Sequence, residues 1–215
     1  FRDVVQRFKL FGLLCFVFFF SAFVIIVPVH FLTTIQSPSF ISYMGIGQSD
    51  VRIDLRQSED IGRRFDRMLT TLADDPDVER FSPLVTSQFT MVGSDGAEET
   101  INIETGDFSI FPLDYVEGTA PEREDEIALS SLNAQEMEMQ VGDTLLLIVD
   151  GQEREMTVSG TYQDVTHGGR TAKAVLPYDP NTVLWQAVSL DLTSGSDVDA
   201  KVREYSAAFH PARVT

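Results

Sequence analysis

With one cysteine, Cys15, in 215 residues, the chain has no internal thiol partner, so an intrachain disulfide and a Cys-rich zinc site are both excluded. Basic side chains are scarce as well: 16 Lys and Arg face 33 Asp and Glu, a formal charge of −17. Such a balance repels phosphate backbones and removes nucleic acid as a partner. His30, His167 and His210 stand apart, with no partner four residues away and no HExxH, so no helical zinc site is written here. There is no GxSxG elbow and no GxxxxGK(S/T) loop, and Gly45-Ile46-Gly47 is a two-glycine fragment without diagnostic value. Acyl transfer and nucleotide hydrolysis gain no support. An initiator Met is also missing at position 1, which leads to the expectation that the sequence is a piece of a longer polypeptide.

What is present in abundance is apolar chain. Leu10 to Val29 carries no charge, and only Gly12, Ser21 and Pro28 fall outside the hydrophobic set. Twenty residues at about 1.5 Å each match one bilayer core of roughly 30 Å, which predicts a transmembrane helix over 10–29. A cleaved signal peptide needs a shorter apolar region and a small-x-small site, and the sequence after Pro28 offers neither. Arg2, Arg7 and Lys9 precede the span, whereas no Lys or Arg follows it before Arg52, so the N-terminus is expected in the cytoplasm. Phe1, Val4, Val5 and Phe8 repeat at helical spacing in a short flank over 1–9 that suits the inner interface. Residues 30–215 are then extracytoplasmic, with 13 Lys and Arg against 32 Asp and Glu, net −19. Cys15 falls within the span, a poor place for an aqueous nucleophile.

After a connector over 30–50, Val51 to Leu55 alternates as a half-buried strand. A helix follows, with Ser58 as its cap, Glu59 and Asp60 in its first turn, and Ile61, Phe65, Met68, Leu69 and Leu72 on one face. Val78 to Val92 reads as extended chain broken at Pro83, then Ser94-Asp95-Gly96 turns into Thr100 to Ile103. Glu126 to Ser130 leads to a short helix near Ser131 to Glu138. Leu145 to Val149, Asp150-Gly151 and Glu153 to Val158 form a hairpin signal of the type I′ kind. Thr161 to Val165 and Thr171 to Leu176 read as two more strands joined through His167-Gly168-Gly169. Ala187 to Leu192 alternates again, Ser194-Gly195-Ser196 turns, and Asp197 to Phe209 is amphipathic through Val198, Val202, Tyr205 and Phe209. Two strand-helix units flanking a β-rich insert predict an α+β fold.

Two carboxylate runs, Asp74-Asp75-Pro76-Asp77-Val78-Glu79 and Glu122-Arg123-Glu124-Asp125-Glu126, miss the EF-hand spacing and read as solvated acidic surface. His167 to Lys173 offers glycine amides and two cations to an anion, with a glycine hairpin carrying exposed charges as the simpler account.

Gly118 and Pro121, then Asp125-Glu126-Ile127-Ala128-Leu129-Ser130, a short helix, Val141-Gly142-Asp143-Thr144 and finally Met156-Thr157-Val158-Ser159-Gly160 come in an order that resembles the extracytoplasmic domain of FtsX-like ABC transporter permeases, the MacB-like periplasmic core domain. A transmembrane helix precedes that domain in the family, as here. The span lacks the family's R-S-x-L-T-x-L-G-I type start, so the later half of a duplicated permease is an alternative placement. The resemblance implies porter-like halves over 51–104 and 187–215 around a β-rich insert over 105–186, and three further spans beyond it. It also implies a separate cytoplasmic ABC ATPase, a second permease copy or half, and an unidentified extracytoplasmic substrate or protein, the chain sitting in a bacterial plasma membrane. Export or mechanotransmission would be driven by that ATPase, with no catalytic residue, metal ligand or cofactor in this chain. The rival reading is a single-pass membrane-anchored binding or sensor module. A membrane-anchored hydrolase using Asp125 and Glu126 is the weakest, since no motif supports the pair.

Overall fold

The computed structural model describes residues 8–56, 60–92, 98–178, 182–209 and 213–214. Arg2, Arg7, the interfacial flank before Phe8, Ser58, Glu59, Ser94-Asp95-Gly96 and His210 lie outside them. The chain divides into two compact units, Phe1–Ile41 and Ser42–Thr215.

The first unit is dominated by helix α1, Phe8–Ile35, whose apolar side chains are exposed around its circumference. One stretch of it, Phe11–Ile35, is long and apolar enough to cross a membrane. The helix runs six residues beyond Val29, where the apolar run was expected to stop. Phe31, Leu32 and Ile35 continue the apolar surface, and the Thr33 and Thr34 hydroxyls donate to the His30 carbonyl at 2.9 and 2.8 Å, which satisfies polar groups within the helix itself. Pro28 is accommodated inside it. A six-residue helix α2, Pro38–Tyr43, follows after Gln36 and Ser37.

The second unit is α+β. Strand β1, Val51–Arg56, alternates as its sequence predicts, with Val51, Ile53 and Leu55 buried. Helix α3, Ile61–Asp74, starts with Asp60 at its cap position and buries Phe65, Met68 and Leu72, which repeat at three and four residues. Strand β2, Val78–Val92, runs unbroken through Pro83. At Pro83, β2 pairs with β9, Val183–Leu192, through Val188, but its ladder to β3, Glu98–Gly106, begins only at Leu84. The missing N–H is therefore tolerated at a locally open edge. The short strand β10, Arg213–Val214, pairs with β1, which pairs with β9. One face of this β10-β1-β9-β2 sheet carries α3 and α5, Val198–Ala208, over a core of Ile53, Val188, Leu190, Met68, Leu72 and Tyr205. Val198, at the head of the α5 stripe, is exposed instead, and the stripe packs against this core from Val202 onward.

The remaining strands are β4, Tyr115–Gly118; β5, Glu126–Ser130; β6, Thr144–Val149; β7, Gln152–Tyr162; and β8, Ala172–Ala174. All but β4, which pairs with β7 outside it, join β2 and β3 in a ring. Pairing runs β2 to β3, β3 to β8, β8 to β5, β5 to β7, β7 to β6 and β6 back to β2. Six strands thus enclose a barrel whose interior holds Phe89, Met91, Ile103, Ile127, Leu129, Leu147, Met156 and Val158. Phe89, Met91, Ile101 and Ile103 reach this interior from β2 and β3. Between Thr86 and Ser87 the β2–β9 register shifts, a bulge at the point where β2 leaves the sheet core, with Val85, for the barrel core, with Phe89. The β6–β7 turn is the type I′ hairpin its sequence predicts, with Asp150 at φ 52° and Gly151 at φ 75°. No separate strand forms over Thr161 to Val165. Tyr162 ends β7, and Asp164 then accepts the Thr166 N–H at 2.6 Å, turning the chain into a single helical turn over Thr166–Gly169. Helix α4, Ser131–Glu136, is capped by Ser130, whose side chain accepts the Asn133 N–H.

Candidate functional site

Two clusters of charged and polar side chains stand out, one on each core. At the corner between α3 and β2, the chain turns through Asp75, Pro76 and Asp77, and α5 lays Lys201, Glu204 and Tyr205 across it. The Lys201 ammonium lies 2.9 Å from Asp75 Oδ2, 2.9 Å from Asp77 Oδ2 and 3.3 Å from Glu204 Oε2, and the Tyr205 hydroxyl donates to Asp75 Oδ2 at 2.7 Å. Asp75 is not the solvated carboxylate its run predicts: its side chain is 10% exposed and that of Lys201 13%. Burial alone would raise the Asp75 pKa, but the hydrogen bonds from Lys201, Tyr205 and the Asp77 N–H together hold it below the ordinary carboxylate value. Hydrogen bonding to Asp75 raises Lys201, while desolvation and then the bond to Asp75 raise Tyr205. Every shift moves these groups away from neutrality, the reverse of the tuning that acid–base catalysis requires. The cluster is a charged clasp.

The second cluster lies on the outer wall of the barrel. Lys173 on β8 is the register partner of Glu104 on β3 and forms an ion pair with it; their side chains are 5% and 13% exposed. The ammonium also sits 5.2 Å from the Phe108 ring centre and 5.0 Å from that of Tyr162. Lys173 is thus no exposed cation of a glycine loop. Alternation puts Ala172 and Ala174 into the barrel and leaves Lys173 outside, where the segment carrying Phe108 covers it. The Tyr162 hydroxyl shares a 2.7 Å hydrogen bond with Thr171 Oγ1, which also bonds Asp164. Burial raises the Tyr162 pKa, with the Asp164 charge adding to it, and burial followed by the Glu104 charge raises Tyr115. Arg170, the other cation considered for an anion site, is held by Glu136. Both cations are therefore committed to carboxylates.

The remaining candidates do not converge. Arg123 bridges Asp125 and Glu126 at 3.0 and 3.1 Å, Arg154 approaches Glu124 at 3.3 Å, and Glu126 Oε2 accepts the Glu122 and Arg123 N–H groups, which makes this run an exposed turn stitched by its own charges. His30 and Cys15 both lie on α1. Among the described residues, no three His, Cys, Asp or Glu side chains gather as a metal site. In the sequence Tyr205 reads only as part of an amphipathic face and Lys173 only as a cation of a glycine loop, while Lys201, Glu104 and Tyr115 carry no sequence signal. Lys201 and Tyr205 meet Asp75 across 126 and 130 positions, so no local spacing announces the contact.

The residues that carry the family resemblance do converge, along β7 where β4 and the turn before β6 meet it. Gly118 adopts φ 71°, and a Cβ there would lie 2.2 Å from the Ser159 carbonyl oxygen. A Cβ on Gly160 would lie 2.4 Å from the Thr119 carbonyl oxygen. The Thr119 N–H donates to Ser159 at 2.9 Å, the Gly142 N–H to Val158 at 2.9 Å, and the Val158 N–H to Asp143 at 2.8 Å. Glycine at 118 and 160, the Gly142-Asp143 turn and the Val158-Ser159-Gly160 strand are thus one connected piece of backbone.

No family model matches the sequence, and no curated protein matches it. Among solved structures the chain is similar to the periplasmic region of MacB from Actinobacillus actinomycetemcomitans, at 12% identity and a TM-score of 0.49 over 85% of this chain and 93% of that one. It is likewise similar to the extracellular domain of the noncanonic ABC-type transporter YknZ from Gram-positive bacteria, at 12% identity and a TM-score of 0.47 over 77% of this chain and 98% of that one.

Proposed function

We propose that the chain is part of the permease subunit of an ABC-type transporter, comprising a membrane span and the extracytoplasmic domain that follows it. The carrying observation is the junction along β7: Gly118, Gly142 and Gly160, residues of the resembling motifs, each occupy a position where the backbone turns or passes too closely for a side chain. Those motifs therefore encode one structural device, which makes their shared order more than a coincidence of short strings. Residues before Leu10 face the cytoplasm on the basic-flank rule, and the acidic domain stands outside. The domain divides into porter-like halves around the β-rich insert. ATP hydrolysis belongs to a separate cytoplasmic subunit, and this chain passes the resulting movement outward to a partner or substrate. Its clasped charges suit a part that holds its shape rather than one that does chemistry.

Purification of the parent polypeptide from membranes, through a tag in the outer domain, tests this. Co-purification of an ATPase and detection of further spans by intact mass and protease mapping are expected. A single-span polypeptide without an ATPase overturns the permease reading in favour of an anchored binding module.

A further inference from the structure

We infer that Tyr43 and Val165 form a patch that rests in the outer interface of the bilayer, so that the domain is seated on lipid as well as tethered to it. This rests on the span reading above. From Leu10 to Ser49 there is not one Lys, Arg, Asp or Glu. The apolar stretch Phe11–Ile35 measures about 37 Å, longer than a hydrocarbon core of roughly 30 Å, so its end already reaches the interface. The chain then stays uncharged through α2, where Ile41 is 39% and Tyr43 44% exposed. Aromatic side chains with a polar tip favour this depth.

The domain contributes its own apolar residue at the same place. The Val165 N–H donates to the Met44 carbonyl at 3.3 Å, and the Val165 side chain is 58% exposed. The contact is fixed: Gly45 at φ 83° lies so close that a Cβ would stand 2.6 Å from the Gln163 carbonyl oxygen, and Ser42 donates to Asp114 at 3.0 Å. Asp164, next to Val165, turns its carboxylate to Thr166 and Thr171, away from the exposed valine. Water is a poor solvent for this pair, and the bilayer that the preceding residues enter is the nearest apolar phase.

The test uses the full chain in phosphatidylcholine vesicles, with Cys15→Ala as background and an environment-sensitive fluorophore on Val24→Cys, Tyr43→Cys, Val165→Cys or Gln152→Cys. Lipids carry a spin-label quencher either near the headgroup or at mid-chain, and circular dichroism confirms that each labelled protein folds. Label at Val24 should lose most emission to the mid-chain quencher, labels at Tyr43 and Val165 to the headgroup-proximal quencher, and label at Gln152 to neither. If Val24 is quenched but Tyr43 and Val165 are not, or if those two respond chiefly to the mid-chain quencher, the seat is overturned while the span stands. If Val24 is unquenched, the span reading falls and takes the seat with it.

Discussion

The clasp around Lys201 sets an expectation at the level of single side chains. Replacing Lys201 with Met strips the cation from a largely buried Asp75 and should destabilise the domain by about 2 kcal/mol, measured by urea unfolding at neutral pH. The pH response has a definite sign. Asp75 has a folded pKa below its ordinary 3.8, so its contribution is present above that value and is lost as pH falls through the folded one. Lys201, raised above its ordinary 10.5, keeps its contribution below that value and loses it only as pH climbs through the higher folded one. Wild type should therefore lose stability on acidification below about pH 4 more steeply than the Lys201→Met variant; parallel curves would refute the clasp. Glycines give a second, paired expectation. Gly151 at φ 75° has open space around it, so Gly151→Ala should cost about 1 kcal/mol from backbone conformation alone. Gly118→Ala meets the Ser159 carbonyl as well and should cost at least about 3 kcal/mol, or prevent folding. Equal costs by thermal melting would argue against the close approach of β4 to β7 at Gly118.

Among the secondary-structure elements, locality decided what the sequence revealed. The Asp150-Gly151 hairpin and the α3 stripe of Phe65, Met68 and Leu72 were legible because each is settled by residues within a few positions of one another. Pro83 misled because its tolerance depends on where β3 stops, which is not a local property. Barrel closure was invisible for the same reason: it requires Met91 to pair with Leu147 across more than fifty residues of intervening chain. So were the Lys201–Asp75 and Glu104–Lys173 pairs, whose members look like ordinary surface charges until the fold brings them together. Leu147 is fully buried where β6 closes the ring. Leu147→Ala should cost about 3 kcal/mol in chemical denaturation, and a cost near zero would mean the ring is open.

For the molecule as a whole, the two cores share β2, so they should melt together. Trp185 on β9 reports on the sheet, whereas Leu147→Ala damages the barrel. The transition followed by Trp185 fluorescence should shift by as much as that followed by far-ultraviolet circular dichroism, and separate midpoints would show two independent folding units. The fifteen residues of β2 also have a mechanical meaning. From Val78 to Ser87 they are held by β9, and from Leu84 to Val92 by β3, both antiparallel neighbours along most of their length. Tension applied along such a strand loads its hydrogen bonds side by side in shear instead of breaking them one after another. A pull on the sheet end at Val78 would reach the barrel end at Val92 through a strut that stretches little, and the ring would move before it unravelled.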